Sequence, residues 1–306
     1  MPQYTELLGL VDRRRLRAMN RALRVRTGAW ERDHATDSEL VELTDRPFES
    51  VADVRTRLDR LEERLRERND RRAVFLTVYA RMTREMQRGI EDGAFSDAAW
   101  MRAYVVSFAE YYRRAFSAFE RGRFDAVPDP WRIAFGTAVT GDNLVVQDAF
   151  LGINAHINYD LALALCDVRI DPDRRGKYAD HVGVDDVLLR LVDAQQDALT
   201  ELYAPGIADV DAALGRFDET VSYHALTEGR IQAWRIAVVL TDFEWLPVER
   251  YARWTLRATA VGGASLVRSP GLDPTVLRAL RRVERVRGEA EMLDVLERRL
   301  DAAVSA

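Results

Sequence analysis

The stretch that most limits what this chain can fold into is LGINAHINYDLALAL, Leu151 to Leu165. It is an apolar, helix-like run, yet Asn154, His156, Asn158 and Asp160 fall inside it. A buried polar group left without a partner costs about 1–3 kcal/mol. Four such groups on one packed helix imply a site, or a polar network matched on purpose. With about 100° between successive residues, Asn154 and Asn158 share one face beside Ile157 and Leu161, and Gln147 falls on the same stripe. His156 and Asp160 share the opposite face with Asp142 and Ala149. A helix with one wet face needs only one polar stripe. Two stripes predict a helix that runs through the middle of a bundle, or lines a cavity on one side.

An aspartate one turn after a histidine accepts a ring N–H, fixes the tautomer and raises the imidazole pKa. That geometry suits an oriented general base, half of a metal site, or a hydrogen-bonded pair with no chemistry. A second run, VSYHALTEGRIQAWRIAVVL, spaces His224 and Glu228 in the same way and places Arg230 and Trp234 on another face. His156, Asp160, His224 and Glu228 would supply four nitrogen and oxygen ligands if the two helices met, as bundle metal sites do. Neither run carries the Glu-x-x-His motif of di-metal bundles, and the zinc-protease motif is absent.

Composition excludes several classes. The 306 residues, 47% of them hydrophobic, allow one large domain or two small ones. A net charge of −5 gives no global attraction to nucleic acid. Lys177 is the only lysine, so a Schiff base is restricted to that position. The single cysteine, Cys166, excludes an internal disulfide and a thiolate cluster, and its place after an apolar run suits a small core residue. The N-terminal residues lack a signal-like apolar core, and no run of about 18 uncharged apolar residues occurs. We therefore expect a cytoplasmic protein with no membrane span.

Taken in order, residues 3–28 look like a basic helix, and a polar linker with a solvated His34 follows over 29–46. Ser50 and Asp53 form a capping box ahead of Val51, Val54, Leu58, Leu61 and Leu65, a seam that Asn69 and Asp70 break. A helix over 71–92 presents Phe75, Tyr79 and Thr83 and ends at Gly93. Ser96 caps a helix over 97–121 that is dense in aromatics, including Phe108, Tyr111, Tyr112 and Phe116, with Glu110 able to reach inward. Pro130 starts a short helix through Val139, and Thr140 or Asp142 caps the central helix, about 142–166. Residues 167–181 read as a charged surface loop with an exposed His181, and helices follow at 184–203, 209–215 and 218–241. Further amphipathic helices over 246–306 cover the core or pair chains into a homo-oligomer. No alternating strand pattern, phosphate loop or serine elbow appears.

Four stretches carry a resemblance: FLTVYARMTREMQRGIEDGAFSDAAWM, FAEYYRRAF, LGINAHINYDLALAL and GRIQAWRIAVVL. Over about residues 50–242 the chain resembles an uncharacterised family, the domain of unknown function 5995. The Asn-Ala-His-Ile-Asn-x-Asp-Leu stretch is the most specific. Tyr79 and Thr83 match a Tyr-x-x-x-Thr of the family, and Arg230 and Trp234 an Arg-x-x-x-Trp. The tail after about residue 245 is extra to that pattern. The resemblance implies where a site lies and implies no activity.

The expected fold is all-α: one large helical bundle over 47–245, a basic N-terminal helix and linker over 1–46, and a C-terminal helical extension over 246–306. Three functional readings stand. In the first, His156 and Asp160 are an acid–base pair, Asn154, Asn158 and Arg230 hold a small-molecule substrate, and Tyr79, Thr83, Tyr111 and Trp234 form the wall. The second is a metal-dependent enzyme using His156, Asp160, His224 and Glu228. The third is a non-catalytic scaffold or ligand-binding module with a buried polar network. The sequence names no cofactor.

Overall fold

The computed structural model describes residues 36–203, 223–243, 245–269 and 274–305. The basic helix expected over 3–28, His34 and the short helix expected at 209–215 lie outside the described residues. Among the described residues the structure is helical and contains no strand. No described helix is long and apolar enough to cross a membrane.

The end of the expected linker is itself helical. Helix α1, Ser38–Thr44, starts where Asp37 accepts from the backbone N–H groups of Glu39 and Leu40. Helix α2, Val51–Glu67, buries Val54, Leu58, Leu61 and Leu65 along one seam. Ser50 Oγ accepts from Asp53 N–H at 3.1 Å, but Asp53 reaches back to Glu49 N–H, so only half of the expected box forms. Asn69, at φ 53°, turns the chain into α3, Ala73–Glu91, which Gly93 ends at φ 75°. Helix α4, Ala98–Glu120, is capped by Asp97 rather than Ser96. The backbone N–H groups of Ser96 and Asp97 are instead both bound by the Asp180 carboxylate, at 2.8 Å each. Helix α5 is Asp129–Thr140.

The central helix starts at Val145, two residues later than a cap at Asp142 implies. Gln147 holds its start: Oε1 accepts from Leu144 N–H at 2.8 Å, and Nε2 donates to Val267 O at 2.7 Å. It runs as α6, Val145–Ala155, then a π turn over His156–Asp160, then α7, Leu161–Asp167. Within the π turn Leu161 N–H donates to His156 O, five residues back.

Helices α8, Arg174–Gly183, and α9, Asp185–Tyr203, follow. The expected surface loop over 167–181 is thus largely a docked helix. His181 is 1% exposed rather than solvated. Two contacts pull this segment inward: Lys177 Nζ donates to the carbonyls of Arg169 and Asp171, and Asp180 binds the start of α4. Lys177 is therefore committed to carbonyls. The chain continues as α10, Tyr223–Asp242, α11, Leu246–Arg268, α12, Pro274–Arg287, and α13, Glu289–Ser305.

Nearly every residue from Leu144 to Leu165 is buried, so the central helix is enclosed. Glycines set how closely its neighbours approach. A Cβ on Gly152 would overlap the Phe75 ring of α3, and one on Gly263 of α11 would overlap the Asn154 amide. Helices α11 and α13, which the sequence places in an extension beyond 245, pack against the core directly. Helix α11 lies along α6, and α13 lies on α3 and α9. Arg81, buried in α3, pairs with Glu62 of α2 and with Glu297 and Asp301 of α13. Apolar packing falls into two clusters, one around α2 to α6 and α13, the other around α7, α10 and the first turns of α4 and α11.

Candidate functional site

The π turn aims His156 and Asp160 toward α3, α4 and α5. His156 Nδ1 lies 2.9 Å from Asp160 Oδ2, and Trp131 Nε1–H donates to the same oxygen at 2.8 Å. Aromatic rings enclose the imidazole. Phe108 of α4 stacks on it with centroids 3.5 Å apart and planes 8° apart. Tyr79 of α3 meets it at 4.5 Å and Phe75 at 5.8 Å, both edge-on. Tyr112 and Trp131 complete the box. His156 is 2% exposed and Asp160 0%.

That enclosure decides the electrostatics. Burial holds the His156 imidazole well below its usual pKa and pushes the Asp160 carboxyl well above its own, against the pull of the Trp131 N–H. The sequence expectation that Asp160 raises the imidazole pKa is thus reversed. Removing imidazolium from water costs more than one neighbouring carboxyl returns. One proton lies between Nδ1 and Oδ2. With Asp160 ionised, that proton sits on Nδ1 and Nε2 is a bare acceptor; when Nε2 takes up a second proton, the first moves to Oδ2 and the imidazole stays neutral. The pair can therefore present either face of an acid–base couple at Nε2.

Two buried polar atoms of this pair have no hydrogen-bond partner, His156 Nε2 and Asp160 Oδ1; the Tyr112 hydroxyl is unpartnered too, but the charges that act on it are those of Arg72, Asp70 and Glu120. The Tyr79 phenol, by contrast, is hydrogen-bonded to the Thr83 side chain, and burial drives it well above its usual pKa. Thr83 Oγ1 also donates to Tyr79 O at 2.9 Å.

The structure separates the other expected site residues from this box. Asn154 Nδ2 donates to Ala260 O of α11 at 2.7 Å, and Asn158 Nδ2 donates to Asn154 Oδ1 at 3.0 Å. Both amides face α10 and α11, where Gly229 and Gly263 leave room for them. They join helices, and neither shares a pocket with His156. Arg230 donates to Asp185 Oδ1 at 2.7 Å and to His181 O, so its guanidinium is already matched. Trp234 packs on His181 and Tyr178, with centroids 5.4 and 5.1 Å away. His181 itself accepts from Tyr104 at Nδ1 and donates from Nε2 to Arg230 O. The half-buried Tyr111 donates to Asp167 Oδ2 at 2.9 Å, at the edge of the box. Of the four expected metal ligands, His156 and Asp160 are buried together and Glu228 is exposed. The His224 side chain lies outside the described residues. Among the described residues no group of three or more metal-type side chains could hold an ion.

The sequence did not single out Phe75, Phe108, Tyr112 or Trp131 as site residues. Phe75 and Tyr79, and Phe108 and Tyr112, are each spaced four apart, so each pair shows one helix face to the imidazole. That spacing was the available signal. Trp131 had none, because its contact with Asp160 spans 29 residues.

Fold and site together define an all-α bundle whose central helix breaks its own hydrogen-bond ladder at a carboxyl–imidazole pair walled by aromatic rings. Residues 51–270 of the chain match the family of unknown function (DUF5995), and the protein belongs to that family. The match runs past the resemblance seen over 50–242 and takes in α11, the helix that carries the partner of Asn154. The pattern therefore does not end near residue 245. No curated protein and no solved structure matches the chain.

Proposed function

We propose that this protein binds a small, uncharged molecule in the aromatic box, as a ligand-binding protein or as an enzyme that moves a proton through His156 and Asp160. The observation that carries this reading is the pair of unpartnered polar atoms, His156 Nε2 and Asp160 Oδ1, inside an aromatic enclosure. Left unmatched, each costs about 1–3 kcal/mol, and a ligand that supplies partners recovers that cost on binding. The apolar walls disfavour a charged ligand. Phe75, Tyr79, Phe108 and Trp131 are the walls, and His156 Nε2 is the contact that orients the ligand. Phe108 is only half-buried, so displacement of its ring opens the box on the side of Tyr111. A π turn at such a pair is a costly local geometry that recurs at functional sites. If a reaction follows binding, one imidazole acting as acid or base contributes about 10²–10⁴-fold.

A second reading, a purely structural network, draws support from Asn154 and Asn158, whose amides are matched by their neighbours. One experiment separates the two. A library of neutral small molecules is screened by thermal shift on the parent and on His156→Gln. The ligand reading expects compounds that raise the Tm of the parent and lose most of that effect in the variant. Equal shifts in both proteins would place binding elsewhere and favour the network.

A further inference from the structure

Helix α12 has an apolar inner face and a basic outer one. Leu280 is buried, and Val276, Leu277 and Val283 pack against the core beside it. Glu284 is the only acid of the helix. It too points inward, where Oε1 accepts from Val145 N–H at 2.8 Å and from the Tyr203 hydroxyl. The outer face carries Arg278, Arg281, Arg282 and Arg285, all exposed. On a helical wheel the four fall within an arc of about 100°. Arg268, at the end of α11, lines the same surface cavity as Arg281 and Arg285.

These five charges are not neutralised by neighbours. On α2, α3 and α13, Arg66 pairs with Glu297, Arg81 with Glu62, Arg84 with Asp59 and Arg299 with Glu201. Even Arg287, at the end of α12, pairs with Glu291. Among the described residues, by contrast, no carboxylate oxygen lies within 4.0 Å of Arg268, Arg278, Arg281, Arg282 or Arg285. Arg278 Nη2 donates to Thr275 Oγ1 at 3.1 Å and Arg281 Nη2 to Asp142 O at 2.8 Å. Both acceptors are neutral and leave the positive charge in place. The net charge of −5 gives the molecule no overall attraction for a polyanion, so this face is a local exception.

We propose that the outer face of α12 docks on the phosphate backbone of duplex DNA. The spacing of its charges points to this partner. A helix rises about 1.5 Å per residue, so Arg278 to Arg285 span about 10.5 Å, or about 3.5 Å from one arginine to the next. One strand of duplex DNA places a phosphate about every 3.4 Å along its axis. A strand running beside α12 therefore meets about one guanidinium per phosphate, and each guanidinium can give a phosphate two parallel N–H donors. A bilayer fits less well. Helix α12 packs its apolar face on the core, and only Val286, 81% exposed, is left beside the arginines to insert. Contacts to phosphate position a protein without reading sequence, so the binding is sequence-independent. It shares no residue with the aromatic box.

The test uses the whole chain and a fluorescent DNA duplex of about 20 base pairs, read by anisotropy from about 50 to about 200 mM salt. Four phosphate contacts predict a slope of log K against log salt of about −3.6, an affinity loss of about 100-fold over that range. Arg278→Gln and Arg282→Gln are surface changes, and each is expected to make the slope shallower by about 1. Arg60→Gln, at an exposed position on α2, leaves the slope unchanged. Phosphatidylcholine vesicles with and without phosphatidylserine are titrated in parallel. No binding of the duplex at the lowest salt would overturn the proposal. So would a slope that Arg278→Gln and Arg282→Gln leave as it was, or binding of the phosphatidylserine vesicles in place of the duplex.

Discussion

His156 and Asp160 are a weak base and a weak acid that water no longer supports, and their pH dependence follows from that. The folded His156 pKa lies below its usual 6.5, so between those two values the unfolded chain binds the extra proton. Stability is therefore present above pH 6.5 and is lost as pH falls through that window. Asp160 works in the opposite sense. Its folded pKa lies above the usual 3.8, so its contribution is full below that value and is lost as pH rises through the folded pKa. Buried His181 has the same sign as His156. Asp148 and Glu284, whose folded pKa values are also raised by burial, share the sign of Asp160, so the His156 contribution is read as a difference: in urea unfolding, His156→Gln is expected to gain stability relative to the parent as pH falls from 7 to 5. A slope unchanged by His156→Gln would mean that the imidazole is not kept neutral by burial. Trp131→Phe removes one of the two contacts to Asp160 Oδ2 and is expected to cost about 1–3 kcal/mol in the same assay. The His156–Asp160 contact was legible in the sequence because it is local, four residues along one helix face. The burial of His181 was not, because it depends on Tyr104 and Arg230, which lie 77 and 49 residues away.

Several helix ends decided by one residue were legible, though the Asp37 cap of α1 and the Asp97 cap of α4 were not. Ser50 caps α2, Asn69 and Gly93 take positive φ, and Pro130 sits at the start of α5. The two polar stripes of the central helix were legible too, from periodicity alone. What each stripe meets was not. The amide stripe meets glycines on α10 and α11, and a glycine in a helix gives no sequence sign of which neighbour comes close. The π turn was equally hidden, since no residue type specifies it. Close approach at Gly152 makes a prediction at this scale. Gly152→Ala forces the Phe75 ring away from the central helix, and the part of that ring in the way is nearest the backbone. A cost of about 1–3 kcal/mol is expected by urea unfolding. Phe75→Ala, which removes the two nearest ring atoms, is expected to cost less in that chain than in the parent and so to recover part of the Gly152→Ala loss. No recovery would mean that the strain lies elsewhere.

For the molecule as a whole, the all-α class followed from helical periodicity and the absence of any period-two run. The boundary at residue 245 did not follow the packing, because helical amphipathicity shows that a face is covered without showing by what. Helix α13 covers part of the same core as α2 and α3. Met292, Leu293, Leu296 and Leu300 are buried in it, and Arg81 is buried beneath its acidic residues. Leu296→Ala is expected to cost about 2–5 kcal/mol, as in any well-packed core. A loss below about 0.5 kcal/mol, the scale of a surface substitution, would show that α13 is peripheral. The functional account rests on a narrower point, that polar atoms facing the aromatic box are unmatched within the protein. The ligand-dependent thermal shift tests it most directly, because only an unmatched group gains from a partner that a ligand brings. The account predicts neutral compounds that raise the Tm of the parent and have little effect on His156→Gln. No compound that raises the parent's Tm, or equal shifts in the two proteins, would contradict it.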